Sequence, residues 1–131
     1  MKSKILVVDD EPGIRAMLQD AFDRVGYEVI PAESAENALD ILQTENVQVM
    51  FVDLKLPGMN GLELCRRIRK QHPITYIYAI TGYTSLFELA DCREAGFDDY
   101  FTKPVDLKLF FQAAQEGFDK LSRQLKMLLR N

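Results

Sequence analysis

The chain has 131 residues, a formal net charge of −4, 47% hydrophobic residues and 27% charged residues. That length holds one domain with a full core, and the acidic balance argues against direct nucleic-acid binding, which wants a basic face. No apolar run reaches the ~20 residues that cross a bilayer, and the apolar segment after Met1-Lys2-Ser3-Lys4 is too short for a signal peptide, so the expectation is a cytoplasmic protein with no membrane contact.

Strand-like and helix-like stretches then alternate along the chain. Lys4 to Asp9 is an apolar strand. From Pro12 to Val25 the residues Ile14, Met17, Leu18, Ala21, Phe22 and Val25 form a helical stripe that Gly26 stops. Tyr27 to Ala32 reads as a second strand, and Pro31 suits it to a sheet edge. Ser34 can cap a helix that turns Ala35, Ala38, Leu39 and Leu42 inward. The third strand is an apolar run from Val47 to Val52, buried on both faces; it ends abruptly in Asp53, before a Pro57-Gly58 turn. Asn60 and Glu63 have capping-box spacing for a helix carrying Leu62, Cys65 and Ile68. Thr75 to Thr81 is a fourth strand; Thr84 or Ser85 opens a short helix ending at Gly96; Asp99 to Thr102 is a fifth strand. Asp106 caps a final helix reaching toward Arg130. Cys65 and Cys92 lie inside helical patterns without C-x-x-C spacing and read as free thiols. His72, the only histidine, precedes Pro73 at a helix end, which argues against a Ser–His or His–metal site.

This alternation is that of an α/β protein with a parallel sheet covered by helices on both faces. Right-handed crossovers and the small size favour a doubly wound five-stranded sheet of order 2-1-3-4-5. In that order the first and third strands flank the switch point, and their carboxyl ends bring Asp9, Asp10 and Asp53 together. Three such carboxylates repel one another unless a cation sits among them, and all-oxygen ligation suits Mg²⁺. The fourth strand ends in Thr81, a hydroxyl, and the fifth leads to Lys103, an ammonium. A carboxylate nucleophile, a divalent-metal site, a hydroxyl and a cation are the parts of phosphoryl transfer. Each has a bland alternative: Asp53 as a loop cap, Asp9 and Asp10 as turn formers, Thr81 as a strand-end residue, Lys103 as a surface charge. All of them ending strands on one edge is hard to obtain by chance.

The motifs I-L-V-V-D-D-E-P, V-D-L-K-L-P-G-M-N-G, A-I-T-G-Y and D-D-Y-F-T-K-P, in this order, resemble the receiver domain of two-component response regulators. The resemblance covers residues 4 to about 120 and implies a flavodoxin-like fold. It implies that Asp53 is the phosphoacceptor, receiving its phosphoryl group from a phosphohistidine of a sensor histidine kinase or phosphotransfer protein. Asp10 and Asp53 would ligate Mg²⁺ directly, Asp9 partly through water, and the backbone carbonyl of Lys55 would complete the protein's share. Thr81 would bond the phosphoryl group, Lys103 would pair with it, and Lys103-Pro104 resembles the family's cis peptide. Tyr100 would turn inward as Thr81 moves, changing the face made by the fourth helix, fifth strand and fifth helix. Leu56 stands where methionine is more usual, a volume-conserving change. Lys55 and Tyr83 occupy positions that line the water path in this family, and the expectation is that they shield the acyl phosphate.

Two other classes fit less well. A phosphatase of the haloacid-dehalogenase type shares the chemistry, but it places its nucleophile after the first strand as D-x-D-x-T, where this chain has D-D-E-P. A flavin-binding flavodoxin needs a Ser/Thr/Gly-rich phosphate loop there, and D-D-E-P-G would repel a phosphate. The expected protein is thus a signalling switch, not an enzyme on an external substrate.

Residues 1–120 make up the receiver domain in this reading, and residues 121–131 a C-terminal extension. A helix from Asp106 to Arg130 spans about 37 Å at 1.5 Å per residue. Leu107, Phe111, Ala114, Phe118, Leu121, Leu125 and Leu128 follow a heptad seam. Two readings stay open: a long helix folded back on its own domain, or a homodimer or coiled-coil linker built by the last helix. Gly117 counts slightly against a continuous helix. Output would pass to a downstream protein or to a domain outside this chain.

Overall fold

The computed structural model describes residues 2–82 and 85–130. Its elements in chain order are β1 (Lys4–Val8), α1 (Pro12–Arg24), β2 (Glu28–Ala32), α2 (Ala35–Thr44), β3 (Val49–Asp53), α3 (Gly61–Gln71), β4 (Tyr76–Thr81), α4 (Leu86–Ala95), β5 (Asp99–Thr102) and α5 (Leu107–Leu129). The strands pair in parallel in the order β2-β1-β3-β4-β5. This is the doubly wound, flavodoxin-like sheet expected from the sequence, with Pro31 on an edge strand.

The period of two along each central strand divides the apolar residues between two cores. Leu6, Val8, Met50, Val52, Ile77 and Ala79 face α2, α3 and α4, where they meet Ala38, Leu64, Cys65, Ile68, Cys92 and Ala95. Ile5, Val7, Val49, Phe51, Tyr78 and Ile80 face α1 and α5, where they meet Leu18, Phe22, Phe110 and Ala114. Phe51 stacks on Phe110 at 4.8 Å between centroids, which anchors α5 on the centre of the sheet.

Side chains close most helix starts as their sequences suggest. Ser34 Oγ accepts from Asn37 N at 3.0 Å, Ser85 Oγ from Glu88 N at 3.1 Å, and Asp106 Oδ1 from Lys108 N at 3.0 Å. Only half of the expected capping box forms at α3. Asn60 Oδ1 accepts from Glu63 N at 2.9 Å, while the Glu63 carboxylate pairs with Arg67 one turn on, at 3.2 Å. Two members of the α1 stripe also face outward: Met17 is 37% exposed, and Val25, which lies beyond the last helical turn, is 52% exposed.

At the amino end of the sheet Arg69 ties three elements together. Its guanidinium donates to Gly96 O at 2.8 Å, to Pro73 O at 3.2 Å and to Thr75 O, and pairs with Asp98 Oδ2, which also accepts from Ile77 N at 2.8 Å. The carboxyl end of α4 is therefore fastened to α3 and β4. The opposite end of α4 carries Leu86, 83% exposed.

The last helix is continuous through Gly117, and packing supplies the reason. A Cβ there would stand 3.0 Å from Tyr78 Oη and 3.1 Å from Val49 Cγ2, so the missing side chain lets α5 approach the sheet. The heptad seam is divided. Ala114 and Leu121 are buried, Leu107, Phe111 and Phe118 are partly buried, and Phe118 stacks on Tyr27 at 5.3 Å. Beyond Leu121 every residue to Arg130 is exposed, including Leu125 and Leu128 at 41% and 67%. The second half of the seam is not folded back onto the domain. Among the described residues no helix is long and apolar enough to cross a membrane.

Candidate functional site at the carboxyl edge of the sheet

Register alone brings the first two acidic positions side by side. Val8 of β1 pairs with Val52 of β3, so the residues that follow, Asp9 and Asp53, leave the sheet as neighbours. Asp53 pairs with Ile80, one residue before Thr81, and Thr81 pairs with Thr102, one residue before Lys103. Asp9 lies just past the end of β1, held by its N–H donating to Ala32 O at 3.1 Å. Lys103 N donates to Thr81 O at 2.8 Å, and the Lys103-Pro104 peptide is cis.

The side chains converge. One carboxylate oxygen each from Asp9, Asp10 and Asp53 lies within 4.8 Å of the others, with Asp9 and Asp53 buried and Asp10 exposed. Lys103 Nζ stands 3.2 Å from Asp53 Oδ2, 3.4 Å from Asp9 Oδ2 and 3.7 Å from Glu11 Oε2. Backbone amides hold the other carboxylate oxygens: Lys55 N donates to Asp53 Oδ1 at 3.1 Å, and Glu11 N to Asp9 Oδ1 at 2.9 Å. Thr81 is buried at the end of β4.

Burial, then the charge of Asp53, raises the Asp9 carboxyl above its ordinary range, against the Glu11 amide and the Lys103 ammonium. For Lys103 burial acts downward, and the Asp53, Asp9 and Glu11 carboxylates outweigh it, so the ammonium is held above its ordinary value. One lysine thus faces three carboxylates, and Asp9 Oδ2 is buried without a hydrogen bond. Three carboxylates, each offering one oxygen within 4.8 Å of the others, are a donor set for a hard divalent cation.

Tyr100 lies apart from this cleft. It is 37% exposed on β5, over a groove lined also by Leu86, Leu89 and Leu109. Lys55 has an exposed side chain beside Asp53, and Tyr83 lies outside the described residues. Leu56 is buried at 7% exposure.

Three residues that shape the cleft are not among those the sequence singles out. Arg15 Nη1 donates to Asp9 O at 2.8 Å, fixing the turn after β1 from the first turns of α1. Gly61 opens α3 against the end of β3, where a Cβ would lie 2.3 Å from Asp53 O. Glu11 is the third anion on Lys103. Arg15 carries no signal in a sequence, because an arginine in a first helical turn is ordinary. Gly61 follows an asparagine cap and looks like a turn residue. Glu11 does carry one, since it stands immediately before Pro12, at a position where Ser, Thr, Asp or Asn usually caps the helix.

The model for the response regulator receiver domain matches residues 5–115. Sporulation initiation phosphotransferase F of Bacillus subtilis (strain 168) is 35% identical over 107 residues, covering 82% of this chain and 86% of that protein. The alkaline phosphatase synthesis transcriptional regulatory protein PhoP of the same organism is 40% identical over 104 residues, 79% of this chain, but this chain spans only 43% of its length. A CheY-like response regulator receiver domain protein from Methanospirillum hungatei JF-1 superposes with a TM-score of 0.90 at 31% identity, covering 95% of this chain and 99% of that one. An acidic cleft with a facing lysine at the switch point of a 2-1-3-4-5 sheet, and similarity over most of the chain, agree: the chain belongs to the response regulator receiver domains, the phosphorylation-based signalling modules of two-component systems.

Proposed function

We propose that Asp53 is the phosphoacceptor of a signalling switch, taking its phosphoryl group from a phosphohistidine on a sensor histidine kinase or phosphotransfer protein. The observation that carries this is the buried Asp53 carboxylate, with Lys103 Nζ at 3.2 Å from its Oδ2 and two further aspartates beside it. An Asp53 oxygen attacks phosphorus as the P–N bond of the donor breaks, and the electron pair of that bond returns to the imidazole. Lys103 moves from its carboxylate partners to pair with the phosphoryl oxygens, and the Thr81 hydroxyl bonds another of them. Asp10 and Asp53 would hold Mg²⁺ directly, with Asp9 partly through water and with the Lys55 carbonyl; when bound, the ion supplies neutralisation of charge on the phosphoryl group. Asp9, Asp10, Glu11 and Asp53 outnumber the Lys103 ammonium among them, and that excess of carboxylates supports a cation there.

The response is a two-state change biased by the new local charge. Thr81 moving toward the phosphoryl group leaves space that Tyr100 fills by turning in from its half-exposed position. That rotation reshapes the groove bordered by Leu86, Leu89 and Leu109 on the α4–β5–α5 face. The protein acts in the cytoplasm and assists its own phosphorylation and dephosphorylation, without turnover of an external substrate. Its output passes to a protein partner or to a further domain, as the greater length of the PhoP relative suggests. Lys55, exposed beside Asp53, shields the acyl phosphate from water; the same role for Tyr83 rests on the sequence resemblance alone.

Intact-mass spectrometry after incubation with Mg²⁺ and acetyl phosphate tests the site. One added phosphoryl group is expected on the parent protein and none on Asp53→Asn. A variant that is still modified would place the acceptor elsewhere.

A further inference from the structure

Glu11 occupies the N-cap of α1 yet makes no capping bond from its side chain. Its backbone is fixed on one side by the hydrogen bond its N–H donates to Asp9 Oδ1 and on the other by Pro12, whose ring presets the first helical residue. The side chain is directed instead toward Lys103, with Oε2 3.7 Å from Nζ. It is 58% exposed, at the mouth of the cleft, whereas the other two partners of that ammonium, Asp9 and Asp53, are buried beneath it. The nearest other cation on α1, Arg15, is committed to the Asp9 carbonyl.

We propose that Glu11 is a positioning residue of the cleft: its carboxylate competes with the acceptor site for the Lys103 ammonium and sets how readily an incoming phosphoryl anion is admitted. The proposal rests on the reading of Asp53 as phosphoacceptor. An anion that pairs with Lys103 must draw it away from Glu11 as well as from Asp53 and Asp9. Because Glu11 is exposed, the competition is partly screened, and its size is that of a surface ion pair, about two- to fivefold in affinity. It weakens as added salt shortens the range of both charges.

The test is the affinity for beryllofluoride at saturating Mg²⁺, read by fluorine NMR. Glu11→Gln is expected to bind about two- to fivefold more tightly than the parent, with the gain shrinking at high salt. Equal or weaker binding overturns the proposal. Glu11→Asp keeps the charge, but its shorter side chain can bond the first amides of its own helix, so it is expected to match Glu11→Gln. An Asp variant that binds like the parent shows that bare charge at the mouth is responsible, and overturns competition for Lys103. In metal-free protein Glu11→Ser is expected to melt at a higher temperature, because capping returns; a lower one overturns the view that this position forgoes its cap. If the parent itself fails to bind beryllofluoride, or Asp53→Asn binds it equally, the phosphoacceptor reading fails first. A parent that binds normally with no gain in Glu11→Gln removes the Glu11 proposal alone.

Discussion

Cys65 shows what burial does to a reactive group. The thiol is fully buried on α3, and burial, only partly offset by Arg69, pushes its pKa up to about 12 from an ordinary 9.0. Cys92 is 4% exposed and is also raised by burial, with Glu88 adding to it. Neither thiol is expected to react with Ellman's reagent at pH 8 in the folded protein, and both should react on unfolding. Above pH 9 the unfolded Cys65 loses its proton while the folded one keeps it, so stability falls with rising pH between about 9 and 12. Urea titrations across that range should show the decline, and Cys65→Ala, whatever its cavity costs, should make it shallower without abolishing it, because burial also raises Cys92 and Tyr78. The residues of the cleft divide by legibility on similar physical grounds. Asp9, Asp53, Thr81 and Lys103 can be read because each follows or ends an apolar strand, and parallel strands deliver their ends to one edge. Gly61 and Arg15 cannot, because their effect lies in a distance to another chain segment, 2.3 Å to Asp53 O for an added Cβ and 2.8 Å to Asp9 O.

Among the elements, α5 runs from its Asp106 cap toward Arg130 as its sequence reads, and it does so through Gly117. Gly117 lowers intrinsic helix propensity, and on that ground it counts against a continuous helix. Packing on the sheet outweighs that preference, since the absent Cβ lets the helix settle on Tyr78 and Val49. The Tyr78 hydroxyl donates to Ala113 O at 2.8 Å at this same contact. Gly117→Ala is therefore expected to destabilise by about 1–2 kcal/mol despite alanine's better propensity. In a Tyr78→Phe background, where the nearest atom is gone, the loss should shrink by at least ~0.5 kcal/mol. Chemical denaturation of the four proteins measures this, and strict additivity would shift the obstruction to Val49. The strand pattern, by contrast, is legible almost to the residue, because apolar runs between Gly, Pro and Asp punctuation have few other placements in a protein of this size. The seam of α5 is legible as a pattern only. Periodicity marks a face as apolar without saying how much of that face the protein's own body covers.

For the whole molecule, that incomplete coverage separates what the fold needs from what it presents. Among the described residues nothing beyond Leu121 is buried, and Gln124 reaches Tyr76 Oη only at 3.5 Å. A chain ending at Leu121 is expected to match the full chain in unfolding free energy within about 0.5 kcal/mol. A larger loss in a thermal melt would mean that the extension takes part in the folded body. The two cores on either side of the sheet differ in how firmly they hold their helices. α5 rests on a run of packed aromatics, whereas the residues of α4 buried among those described are Cys92 and Ala95, both in its carboxyl half. The tether of Arg69 to Gly96 and Asp98 lies at that same end. A rod pinned at one end has a simple kinematics: its displacement grows along its length. α4 is roughly 15 Å long, so a 10° swing about the pin carries Leu86 through an arc of about 2.6 Å while Ala95 hardly moves. The end that travels most is the one that follows Thr81 in the chain, so the free end of this rod and the carboxyl end of β4 are neighbours in sequence.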